Sequence, residues 1–110
     1  MTLDAFEHKI FAVANRSPLC DEPTIVVAGE ETVKIRIDLL TDGWIEAYYN
    51  QRTQTTAYVL IRDEKRIFGA DNTGGWPIHP FNDPSRHDPI SAPLSFADFI
   101  SEIERHETLR

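Results

Sequence analysis

Two histidines, His79 and His87, share one short stretch of the chain with Asp71, Asn72, Arg86 and four prolines, in the run DNTGGWPIHPFNDPSRHDP that covers residues 71–89. Imidazole is the side chain whose ordinary pKa lies nearest neutrality, so a pair can act as general acid and general base. Arg86 adds a planar cation suited to two-point contact with phosphate or carboxylate, and able to stabilise an anion that develops during reaction. Pro77, Pro80, Pro84 and Pro89 restrict the backbone and lower the entropy cost of holding one shape. Trp76 and Phe81 are large apolar groups that would pin such a segment to the body of the domain. The competing reading is a rigid crossover whose polar groups satisfy only its own backbone.

A metal is the other chemistry these residues bring to mind. A structural zinc site wants four Cys or His ligands at tight spacings, which a single cysteine and a His79-x7-His87 pair do not supply. A three-ligand site from Asp71, His79 and His87, completed by water, is the metal alternative. Lone loop histidines are far more often solvated or hydrogen-bonded, so no metal or other cofactor is expected. No phosphate-binding glycine loop and no G-x-S-x-G nucleophile elbow occurs. Cys20 precedes Asp21 and Glu22, and neighbouring acids raise a thiol pKa, so it is expected to be inert.

Eighteen acidic against eleven basic residues give a formal net charge of −7. Non-specific nucleic-acid affinity comes from Lys and Arg neutralising phosphates, so this balance argues against a dedicated nucleic-acid binder, though not against a local basic cleft. No apolar run approaches the length of a membrane span, and MTLDAFEHKIF lacks the regions of a signal peptide. With one cysteine and no signal, a cytoplasmic protein is expected. The 110 residues fit a single domain, 1–110.

The elements that must position the 71–89 segment are well signalled. TLDAFEHKIFAVAN reads as a helix capped by Thr2, with Leu3, Phe6, Ile10 and Val13 at helical spacing and His8 on the polar side. Ser17-Pro18 ends it. TIVVAGEETVKIRIDLL splits at Ala28-Gly29-Glu30 into two strands, and further strands follow at WIEAYYN, TTAYVLIR and RIFGAD, with turns at Thr41-Asp42-Gly43, NQRTQ and Arg62-Asp63-Glu64-Lys65. In the second strand Val33, Ile35, Ile37 and Leu39 alternate with Lys34, Arg36 and Asp38, which marks one buried face and one wet face. SFADFISEIERHE reads as a second helix, with a Ser95/Asp98 capping box, a Leu94–Phe99 staple, and Phe96, Phe99, Ile100 and Ile103 on one face. The expected fold is α+β: a twisted antiparallel β-meander of four to five strands, packed on one face by an N-terminal and a C-terminal helix, with a long Pro-rich crossover before the last helix. Lys34, Arg36, Glu46, Tyr48, Tyr58 and Arg62 are expected on the other face, open to solvent or a partner.

The order of these features resembles the TumE-type toxins of type II toxin–antitoxin pairs. A β-meander leads to an aromatic residue, then Asp71-Asn72, then His79 with Pro80 and Phe81, then His87, then a capped helix from Leu94 to Ile103. The resemblance spans residues 31–104. Where that family usually carries adjacent histidines soon after Asp-Asn, this chain has Gly74, Gly75 and Trp76. The resemblance implies a small toxin-like protein encoded beside an antitoxin with a helix-turn-helix DNA-binding domain. It further implies a metal-independent ribonuclease with His79 and His87 as base and acid, Arg86 on the phosphate, and Asp71 orienting a histidine. Asn72, Trp76 and Phe81 would serve binding. The alternative is a non-enzymatic interaction domain that uses its sheet face or edge strand to hold a partner or a second copy of itself. A small-ligand or metal-binding domain with a pocket between sheet and loop is the third reading.

Overall fold

The computed structural model describes residues 1–72 and 95–109, together with the backbone of 77–79 and 88–89; for 108 and 109 it describes the backbone alone. Helix α1 spans Leu3–Arg16. Its cap is Thr2, whose Oγ1 accepts the Ala5 N–H at 3.1 Å. Phe6, Ile10 and Ala14 recur every fourth residue and are buried, with Leu3 and Val13 half-buried at the edges of that stripe. His8 is exposed, as its position on the polar side requires.

The strands are β1 (Thr24–Ala28), β2 (Thr32–Asp38), β3 (Trp44–Asn50), β4 (Thr55–Arg62), β5 (Lys65–Asp71), β6 (Pro77–His79) and β7 (Asp88–Pro89). Each pairs antiparallel with its neighbour in chain order, so the sheet is a meander from β1 to β7. The five expected strands are present, and the meander runs on into the proline-rich segment. There β6 pairs with β5 through Gly69–His79 and Ala70–Ile78, and β7 pairs with β6 through Pro77–Pro89 and Ile78–Asp88. Proline is compatible with extended backbone at a strand start or sheet margin, which is where Pro77 and Pro89 stand. Helix α2 (Phe96–Leu109) closes the fold. Its capping box forms as read: the Asp98 N–H donates to Ser95 Oγ at 3.0 Å, and the Ser95 N–H donates back to Asp98 Oδ2 at 3.3 Å. Leu94, the proposed staple residue, lies outside the described residues.

Both helices cover one face of the sheet. Phe6 of α1 stacks on Tyr49 of β3 with ring centroids 5.0 Å apart, and Phe99 of α2 stacks on Phe68 of β5 at 4.9 Å. Val33, Ile35 and Ile37 of β2 and Ile45, Ala47 and Tyr49 of β3 point into this layer. Lys34, Arg36, Glu46 and Tyr48 lie on the opposite face, with Lys34 opposite Tyr48 and Arg36 opposite Glu46. Directly opposed residues share a face.

Tyr58 and Arg62 do not join them. Tyr58 stands opposite Ala47, and Leu60 opposite Ile45, so the even-numbered residues of β4 face the helices. Tyr58 is buried there against Phe96 and Phe99, at 5.3 and 5.5 Å between ring centroids. Arg62 is buried as well, its charge met by Glu107 of α2 and its Nε donating to the Asp42 carbonyl at 2.9 Å. Gly43 makes that approach possible. Its φ is +83°, and a Cβ there would stand 2.2 Å from the Ile61 carbonyl oxygen, so the β2–β3 turn can lie against β4 only with glycine.

Candidate functional site

Asp71 ends β5 opposite Ala57, and the residue after it is held on three sides. The Asn72 N–H donates to the Thr56 carbonyl at 3.0 Å, while its Oδ1 accepts the Thr56 N–H at 2.8 Å and its Nδ2 donates to the Gln54 carbonyl at 2.6 Å. The side-chain amide thereby continues the β4–β5 ladder past the last strand residue. Gln54, the residue it grips, has φ +59° and accepts the Tyr49 hydroxyl hydrogen at 2.8 Å. Asn72, read from sequence as a binding residue, is a clasp between the end of β5 and the β3–β4 turn.

His79 closes β6 and stands opposite Gly69. The Ile78–Asp88 pair sets it on the strand beside Asp88, one residue out of step, and His87 is the residue bonded to Asp88. Trp76, Phe81, Arg86 and His87 lie outside the described residues. Among the described residues no three His, Cys, Asp or Glu side chains gather as a metal site would require. Likewise no helix among them is long and apolar enough to cross a membrane.

Cys20 has its thiol pKa raised, first by burial and further by Glu104, against a lowering hydrogen bond from Ser17. The direction agrees with the sequence reading; the cause is burial and Glu104 rather than Asp21 and Glu22. Burial also raises the Tyr58 hydroxyl well above its ordinary range. Between α1 and α2 lies a shallow cleft of about 220 Å³, lined by Val13, Arg16, Ile100 and Ser101 and closed at one end where the Ser17 hydroxyl donates to Glu104 Oε1 at 2.9 Å. Among the described residues, no sequence candidate for catalysis lines it.

The most unusual surface is β1. Every residue of this strand is exposed, with Ile25, Val26 and Val27 at 42, 48 and 47%. β1 pairs with β2 on one side, with a bulge between Ile25 and Val27, and among the described residues no strand pairs with its other side. The paired stretch is longer than the strand itself. The Asp21 N–H donates to the Asp38 carbonyl and the Leu40 N–H to the Leu19 carbonyl, each at 2.8 Å, so the edge runs from Leu19 to Ala28. The Gly29 N–H donates towards β2, to the Thr32 carbonyl at 2.9 Å. Backbone groups alternate in direction along a strand, so the N–H and C=O of Ala28 point away from β2 into the open edge. The sequence marks this segment as a strand without pointing to a role for it. The available signal was its bracketing, an apolar TIVVA set between Asp21-Glu22 and Glu30-Glu31, which is how chains guard an uncovered strand.

No protein-family model, curated protein or solved structure matches the chain. The fold is that of an α+β domain with an antiparallel meander under two helices.

Proposed function

We propose that this domain is a cytoplasmic, toxin-like member of a two-protein pair and works by being bound, with the open edge of β1 as its contact. The observation that carries this is the exposure of Ile25, Val26 and Val27 on a strand whose outer edge has no partner among the described residues. An extended segment of a second protein would add to the sheet there, its main-chain hydrogen bonds giving affinity and its alternate side chains giving specificity. The motif resemblance supports a helix-turn-helix protein encoded alongside as that partner. Co-expression with the product of the adjacent gene is expected to yield a complex on size exclusion, and Ala28→Pro, which removes an outward N–H, is expected to abolish it. A complex that survives Ala28→Pro would place the contact elsewhere and sink this reading.

One observation favours a second reading, RNA cleavage by the 71–89 segment. The Ile78–Asp88 pair brings β6, which ends in His79, beside the strand that follows His87 in the chain. In that reading His79 and His87 act as base and acid, with Arg86 on the phosphate and Asp71 orienting a histidine. Purified protein is expected to cleave RNA in the presence of chelator, with the rate falling at least about a hundredfold in His79→Ala, His87→Ala. Equal RNA integrity with the wild type and the double variant would discard it.

A further inference from the structure

The partner of β1 can be described by its chemistry, an inference that rests on the edge-contact reading. Four carboxylates bracket the strand, Asp21 and Glu22 before it and Glu30 and Glu31 in the turn after it, and no ion pair engages them among the described residues. The cations nearest on β2 are already committed. Lys34 pairs with Glu46 at 4.0 Å, and Arg36 donates to Asp38 at 2.9 Å while lying 4.3 Å over the Trp44 ring. The edge is therefore apolar in the middle and negative at both ends.

That pattern decides between occupants. A second copy adding antiparallel would bring its Glu30-Glu31 turn beside Asp21 and Glu22, and the reverse at the other end. A copy adding in parallel would set Asp21 and Glu22 beside themselves. Like charges across strands are unfavourable in either arrangement, whereas opposite charges are favourable. We infer that the β1 edge is built to receive an extended segment of another protein, apolar at alternate positions and flanked on both sides by Lys or Arg, and to reject a second copy of this chain.

Synthetic peptides test this on the full-length protein. One carries an alternating Thr-Val core with lysines at both ends; the other carries the same core with glutamates. At about 0.15 M ionic strength, the lysine-flanked peptide is expected to shift the β1 amide resonances and slow exchange at Ala28. The glutamate-flanked peptide is expected to bind at least about tenfold more weakly. Glu22→Lys with Glu30→Lys, which leaves one carboxylate and one ammonium at each end, is expected to erase that difference, and Ala28→Pro to remove binding of both. Equal binding of the two peptides by the wild type would overturn the charge rule while leaving the edge contact standing. Undiminished binding by Ala28→Pro, or no disturbance of β1 by either peptide, would overturn both. A stable dimer of the free protein at that ionic strength would show a second copy to be the occupant and overturn the inference.

Discussion

Arg62 shows how one side chain can settle a face of the sheet. Its guanidinium lies on the helix side of β4, with the side chain 7% exposed, and meets Glu107, whose side chain is 13% exposed. Glu107 sits in the last turn of α2, where a carboxylate opposes the helix dipole, so the arginine offsets that cost while fixing α2 against β4. Charges this buried are stabilising only as a pair, since removing one leaves the other desolvated. Arg62→Met is therefore expected to lower the unfolding free energy by about 3 kcal/mol. Adding Glu107→Leu is expected to restore most of it, because a well-packed apolar pair of similar volume needs no compensation. Urea unfolding of the single and double variants forms the cycle. Strictly additive losses would mean that the two side chains stabilise the fold separately.

At the scale of elements, the clasp at Asn72 ties the end of β5 to the β3–β4 turn just before the chain enters the proline-rich segment. Thr56 is buried, so Asn72→Ala would leave its N–H without the side-chain acceptor it now has at 2.8 Å. A stranded buried donor costs about 1–3 kcal/mol. The expected result is a loss of that size in thermal or urea unfolding, with the exchange of the Thr56 amide speeded more than that of the β2–β3 amides. Unchanged exchange at Thr56 would refute the clasp. What the sequence made legible was whatever is local. The caps at Thr2 and Ser95, the Val33-Ile35-Ile37 alternation and the positions of the turns all follow from neighbours a few residues apart. The faces of β4 were not legible. Its odd residues Ala57, Val59 and Ile61 are as apolar as the even set of Thr56, Tyr58, Leu60 and Arg62, so only pairing with β3 decides which set is buried. Likewise, nothing local marks Asn72 as a ladder residue, because its partners at Gln54 and Thr56 lie across the β4–β5 hairpin.

At the scale of the whole molecule, the net charge of −7 and the bracketed edge act in the same direction. Copies of the chain repel one another generally, and the repulsion is focused where the exposed apolar strand β1 would otherwise pair. Salt shortens the reach of that repulsion, from a Debye length of about 10 Å at 0.1 M to about 3 Å at 1 M. Screening should therefore move two equilibria in opposite senses. A complex with a basic-flanked segment is expected to weaken as salt rises, because its end pairs are attractive and exposed. Self-association is expected to strengthen, because the carboxylates that keep one β1 from another are screened while the apolar residues remain. Sedimentation velocity across that salt range is expected to show a monomer at low salt and weak dimers near 1 M, with Ala28→Pro monomeric throughout. If Ala28→Pro dimerises as readily as the wild type at high salt, the copies meet through another surface. A wild type that stays monomeric at every salt concentration would mean that shape rather than charge protects the edge, with the bulge at Val26 turning the strand away from its like.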